Sequence, residues 1–209
     1  MLLAKEDIIE SQHEMAYMLG EAVEQRSKET GMHVRRVALY TEKLARLSGL
    51  SEQEATLLKR AAPLHDVGKV SIPDHILHKP GKLESDEWEL MQQHAVNGAK
   101  LLAQSGRTIL QKAAEIALTH HEKWDGSGYP TGLAGETIPL SGRIVALADV
   151  FDALAAERCY KPAWPADKIR QHLSEQAGKH FDPALVTLFM QHEAEFYQIL
   201  HSLPDVSHA

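Results

Sequence analysis

Five stretches of this chain place histidines or acids where an exposed side chain would be out of character. Glu29 and His33 are four residues apart, so on one helix they share a face. His65 and Asp66 are adjacent near the end of an apolar helical pattern, where a charged aspartate must be paired, ligated or set at a cleft. His94 interrupts EWELMQQHAVNGAKLL, His120 and His121 end IALTHH, and Asp149 lies inside the apolar run RIVALADVFDAL with Asp152 one turn on. Each alone has a plain explanation. A single histidine on an apolar face is usually a core residue bonded to backbone, and Asp149 could cap a helix or pair with Arg143. Together they bring imidazole and carboxylate from five separate helices, a recurrent way of building metal sites. Such a donor set without thiolate suits iron, manganese, zinc or cobalt. Two metals about 3.5–4 Å apart can share a hydroxide and clamp both oxygens of a phosphoester displacement. Lys69, three residues after Asp66, is placed either to neutralise a phosphoryl oxygen or to sit solvated at a helix C-terminus. Arg158 and Lys161, two to three turns beyond Asp149, carry the same two readings.

The elements that must position these residues are helical. Apolar positions recur at helical spacing over 7–29 and 32–48, with Gly49 as a stop and Gly31 a weak point costing about 1 kcal/mol relative to alanine. Ser51 with Glu54 forms a capping box that opens a helix through Leu64, closed by Gly68 and Pro73. Further helices are expected from Ser85 to about Leu102, over 108–122 and over Arg143–Ala156. Two more begin at Pro165 and at Pro183, the last running to about Leu200. WDGSGYPTGLAGETIP, rich in glycine and proline, reads as a loop. No stretch alternates convincingly as a strand, so the fold class is all-α, about seven to nine helices. The first twenty residues form an amphipathic helix that packs on this domain, pairs with a second copy in a homodimer, or leads in from an upstream domain.

The bulk numbers narrow the function classes. The chain has 209 residues, a length suited to one domain with a short appendage. Thirteen histidines against one cysteine, Cys159, point to nitrogen and oxygen metal chemistry and exclude an internal disulfide or a thiolate cage. A net charge of −7 argues against a broad nucleic-acid surface, though a small anion held by local cations remains allowed. No apolar run is long enough to span a membrane and the N-terminus lacks a secretory pattern, so a cytoplasmic location is expected.

In this order and at these intervals, the residues resemble the HD-GYP branch of the HD superfamily of metal-dependent phosphohydrolases. The matching segments are ETGMHVRRV (29–37), HDVGKVSIPDHILHKPGKL (65–83), His94, HHEKWDGSGYP (120–130), ALADVFDAL (146–154), ERCYK (157–161) and GKHFDPALV (178–186). They run from about residue 20 to 195. The resemblance implies a helical bundle around two or three divalent metals, iron first and manganese second. It also implies hydrolysis of the second messenger cyclic di-GMP to pGpG or GMP by a metal-bridging hydroxide, while some relatives act on cyclic GMP-AMP. By the same carry-over His65, Asp66, His94, His120, His121 and Asp149 are metal ligands, Asp66 bridging, and Glu29 and His33 belong to the outer part of the cluster. Members with that glutamate can hold three metals. Lys69, Arg158 and Lys161 match substrate-phosphate contacts, which makes His65, Asp66 and Lys69 the catalytic group. Gly128, Tyr129 and Pro130 form the motif loop, also a surface for protein partners. Val67 stands where isoleucine is commoner, without chemical consequence. The resemblance divides the chain into residues 1–20 leading from an upstream sensory or receiver domain, a catalytic unit over 21–200, and a tail over 201–209. The rivals are an HD nucleotidase of other substrate range and a non-catalytic cyclic dinucleotide sensor.

Overall fold

The structure, a computed structural model, describes residues 2–27, 31–157 and 162–205, with side chains from residue 10 onward and not for residue 31. Glu29, Arg158 and Lys161 lie outside the described residues. Ten α-helices follow in chain order among them: α1 (Leu2–Arg26), α2 (Gly31–Leu47), α3 (Glu52–Ala61), α4 (Asp74–Leu77), α5 (Ser85–Leu102), α6 (Thr108–Thr119), α7 (Leu140–Ala155), α8 (Ala166–Gln176), α9 (Pro183–Gln191) and α10 (Glu193–Ser202). There is no strand among the described residues, only an isolated bridge between Ala177 and Phe181. The count exceeds the expected seven to nine for two reasons. α4 is a single turn, and the last expected helix breaks at His192, whose φ of −119° and ψ of 15° are not helical.

The expected α3 also stops short. Pro63 has no N–H to give the α-ladder, and residues Ala62–Leu64 tighten into a 3₁₀ turn, followed by a second over Val67–Ser71. His65 and Asp66 sit between those two turns. The capping box at Ser51 forms as expected: Glu54 N–H donates to Ser51 Oγ at 3.3 Å and Ser51 N–H to Glu54 Oε2 at 2.9 Å.

α7 is the central helix. Eleven of its 16 residues are buried, so it is apolar nearly all round and must lie inside the bundle. Tyr40, Phe151, Phe189 and Phe196 pack ring on ring beneath it, with Phe189 and Phe196 centroids 4.6 Å apart. Each such buried aromatic is worth about 1.5–3 kcal/mol by transfer. α1 packs on this core through Gly20, Val23 and Glu24, the local packing that was one of its three readings, while Met15, Met18 and Leu19 stay exposed. It runs unbroken through residue 20.

Gly68 does something other than stop a helix. Its φ is not in the left-handed region, but a Cβ there would stand 1.9 Å from the His94 carbonyl oxygen and 2.5 Å from Gly98 N. The second 3₁₀ turn therefore lies backbone to backbone against α5, which sets His94 beside Asp66. Gly68→Ala forces two backbones apart, and overpacking of this kind costs typically about 1–3 kcal/mol. A loss at the upper end of that range is expected in urea unfolding; wild-type stability would contradict the close approach.

Candidate metal centre

Each histidine is aimed by its own main chain. His65 Nδ1 lies 2.9 Å from the Ala62 carbonyl, His94 Nδ1 2.6 Å from that of Met91, and His120 Nδ1 3.1 Å from those of Ile116 and Ala117. A carbonyl only accepts, so Nδ1 carries the hydrogen and Nε2 is the nitrogen left to face the cluster. All three Nε2 atoms are buried and have no hydrogen-bond partner, as is Asp66 Oδ1. They converge. Asp66 Oδ1 is 3.2 Å from His94 Nε2 and 3.5 Å from His120 Nε2, while Asp66 Oδ2 is 3.4 Å from His65 Nε2 and 2.6 Å from Lys69 Nζ. The carboxylate thus presents one oxygen to each of two imidazole groups, the placement a bridging ligand needs.

Among the described residues there are three sets of donor atoms, the atoms of each set within 4.8 Å of one another: Asp66, His94, His120 and His121; His33, His65 and Asp149; and Glu24, His65 and Asp66. Of the residues expected at the site, His33, His65, Asp66, Lys69, His94, His120, His121 and Asp149 come together. Glu29, Arg158 and Lys161 fall outside the described residues. Asp149 does not pair with Arg143, which binds Asp182 at 2.6 Å instead.

His33 is aimed differently. Its Nδ1 is 2.8 Å from Asp152 Oδ2 and its Nε2 3.4 Å from Asp149 Oδ1. Asp152 in turn accepts from Arg36 Nε at 2.7 Å and Nη2 at 3.0 Å, and all three residues are buried. Carboxylates behind ligating histidines orient the ring and raise its basicity. The sequence marked Asp152 only by position and missed Arg36; its signal was an arginine among the apolar positions Val34 and Val37. Glu24 and Glu122 were missed too. Glu122 is buried, and its carboxylate accepts the N–H groups of Thr131 at 2.8 Å and of Gly132 and Leu133 at 3.0 Å, closing the motif loop. Within that loop Tyr129 stacks on His121 at 4.7 Å and meets the exposed Trp88 edge-on at 5.9 Å. Gly128 lets the loop close: a Cβ would lie 2.3 Å from Lys123 N.

Electrostatics follow the geometry. Burial alone pulls the His65 imidazole down, but the Asp66, Asp149 and Glu24 charges outweigh it and hold His65 at about 9, so a cation ligated by its Nε2 would displace a proton. His120 and His121 are lowered, chiefly by burial. Burial opposes the Lys69 charge, yet Asp66 and Glu24 keep the ammonium strongly protonated.

A model of the HD domain family matches residues 15–185. The chain belongs to the HD domain family, in its HD-GYP branch. It is 58% identical over 199 residues to 3′3′-cGAMP-specific phosphodiesterase 2 of Vibrio cholerae, covering 95% of this chain and 38% of that protein. It is 44% identical to the cyclic di-GMP phosphodiesterase response regulator RpfG of Xanthomonas campestris, covering 95% and 53%. The chain therefore spans about half or less of the length of these relatives. Among solved structures, a cyclic GMP-AMP specific phosphodiesterase of V. cholerae shares the fold with a TM-score of 0.67 at 21% identity, over 92% of this chain and 53% of that one. HD domains bind divalent metal ions. The residues of this HD domain fit such ions: the donors are nitrogen and oxygen alone, and four of them are buried without another partner.

Asp152 is the most exacting support of this centre. Burial alone would raise its carboxyl, but His33 and Arg36 hold it below the usual carboxylate range. Asp152→Ala leaves Arg36 buried without its closest anion, and breaking a buried pair costs about 3–5 kcal/mol. That loss is expected in urea unfolding near pH 7. Because the folded carboxyl is depressed, its contribution is present above the unfolded value of about 3.9 and fades as acid protonates the wild type. The gap between wild type and variant therefore narrows with falling pH. A variant of wild-type stability at pH 7, or a gap that widens in acid, would contradict this role.

Proposed function

We propose that this HD domain is a metal-dependent phosphodiesterase acting on a cyclic dinucleotide. The observation that supports it most is the Asp66 carboxylate, one oxygen toward His65 and one toward His94 and His120, with Lys69 Nζ at 2.6 Å. Glu29, His33, His65, Asp66, His94, His120, His121 and Asp149 are the proposed ligands of two or three metals, iron first and manganese second. Metals so held supply a hydroxide nucleophile at neutral pH and stabilise charge on the phosphoryl oxygens.

The chain's own residues do the rest. Asp66 and the carbonyl-bonded histidines fix the donor atoms before substrate arrives, so no reorganisation is needed at the moment of reaction. Lys69 offers its ammonium to a non-bridging phosphoryl oxygen, and Arg158 and Lys161 are the proposed further phosphate contacts. Tyr129 holds His121 from behind, and Trp88 beside it gives the rim an aromatic face of the kind on which bases stack. That rim favours a base-bearing substrate over a small phosphoester.

Two substrates stand in order of support. Cyclic di-GMP, cleaved to pGpG or GMP, is the reading of the motif loop, and relatives at 47% and 44% identity carry that name. The relative at 58% identity is named for 3′3′-cGAMP, which favours cyclic GMP-AMP. Residues 21–200 are the proposed catalytic unit and 201–209 a tail, with residues 1–20 linking to a sensory or receiver domain. The exposed Met15, Met18 and Leu19 offer a homodimer face, the motif loop a surface for protein partners. A cytoplasmic setting accords with this substrate; among the described residues no helix is long and apolar enough to cross a membrane.

The test is a panel of cyclic di-GMP, 3′3′-cGAMP, mononucleotides and bis(p-nitrophenyl) phosphate, run on metal-loaded protein and on Asp66→Ala. Cleavage of a cyclic dinucleotide is expected in preference to the rest. Asp66→Ala should lose metal and at least about 10³-fold in kcat/KM, roughly 4 kcal/mol of transition-state stabilisation. Failure on both cyclic dinucleotides, or full activity in Asp66→Ala, would overturn the proposal.

A further inference from the structure

Glu24 lies in the last turns of α1; its carboxylate comes within 4.8 Å of donor atoms of His65 and Asp66, but it is not among the proposed ligands or substrate contacts. It is 2% exposed, on a helix whose neighbouring turn leaves Met18 and Leu19 in solvent. Its Oε1 and Oε2 stand 3.4 and 3.5 Å from Lys69 Nζ, and Oε2 accepts from Ser27 Oγ at 3.1 Å. Two residues on, Arg26 donates to the carbonyls of Lys69 and Ile72, each at 2.6 Å, and to Asp74 Oδ1 at 2.7 Å. The end of α1 therefore grips both the main chain and the side chain of one lysine.

A half-buried ammonium is held best with an anion at hand. Among the described residues Lys69 contacts two, Asp66 and Glu24. Asp66 also faces His65 on one oxygen and His94 and His120 on the other, so a metal-loaded centre commits both its oxygens. The carboxylate left to compensate Lys69 is then Glu24. From these contacts we infer that Glu24 is a positioning residue, holding the Lys69 ammonium against the cluster at the face where a substrate phosphate docks. The inference rests on the proposed role of Lys69 and extends the machinery to a helix that carries none of the proposed ligands. Glu24 touches neither substrate nor reacting atoms; it acts through Lys69.

A double-mutant cycle tests it. Wild type, Glu24→Gln, Lys69→Ala and the double variant are metal-loaded and compared for metal content by plasma emission, for affinity toward a non-hydrolysable phosphorothioate cyclic dinucleotide, and for kcat/KM. Glu24→Gln is expected to keep full metal content and wild-type circular dichroism, while analogue affinity and kcat/KM fall about tenfold, a coupling in the range usual for contacting charged groups. In the Lys69→Ala background the same substitution should change either quantity less than about twofold. If Glu24→Gln fails to fold, Glu24→Asp, which keeps the charge but withdraws it by one methylene, takes its place in the cycle. A drop in metal content would make Glu24 a ligand and overturn the inference. So would an equal effect in both backgrounds. Lys69→Ala with unchanged analogue affinity would instead strike the reading of Lys69 itself, and the inference with it. If Lys69→Ala weakens binding and Glu24→Gln does not, the inference alone fails.

Discussion

The folded chain buries the Asp66 carboxylate against three imidazole Nε2 atoms that face no other partner among the described residues. His65, His94 and His120 each spend Nδ1 on a main-chain carbonyl and turn Nε2 inward, where it is buried and unpartnered. An unsatisfied buried polar atom costs about 1–3 kcal/mol. Three nitrogens and Asp66 Oδ1 converge in one place with no other protein partner. A divalent cation held by these donors would satisfy all of them at once. The site is strained against its own stability in the manner expected of a functional centre.

Much of the remaining structure serves that arrangement. Pro63 cuts α3 short and hands the chain to two 3₁₀ turns, so that His65 and Asp66 project from a tight corner rather than a regular helix. Gly68 brings α5 within backbone contact and with it His94. The apolar α7 carries Asp149 to the cluster, and the pairing of Asp152 with Arg36 behind His33 ties α2 to the same helix. Glu122 closes the motif loop over His121 by accepting three backbone N–H groups. The loop's tyrosine thus has a mechanical part as well as a signature value: it is the ring against which a proposed ligand rests.

The sequence disclosed what depends on residue type at regular spacing. Helical periodicity, the Ser51 capping box and the set from His33 to Asp149 were all legible, because burial of polar residues inside apolar patterns leaves a visible anomaly. It did not disclose what depends on tertiary approach. Gly68 read as a helix stop, since nothing local distinguishes a turn glycine from one that admits a neighbouring backbone. Glu24 carried no signal in the sequence, because its burial is created by the HD corner some forty residues away. Glu122 was hidden inside a recognised motif, where attention falls on the glycines and the tyrosine. The break at His192 has no proline or glycine to announce it.

The claim most at risk is that the buried unpartnered atoms of this HD domain are a multinuclear metal centre. Metal content by plasma emission, on protein purified anaerobically and verified as folded by circular dichroism, tests it most directly. Two or three transition-metal ions per chain are expected, held by the eight proposed ligands, with Glu24 not among them. A folded protein that binds one ion or none when supplied with iron or manganese would contradict the account.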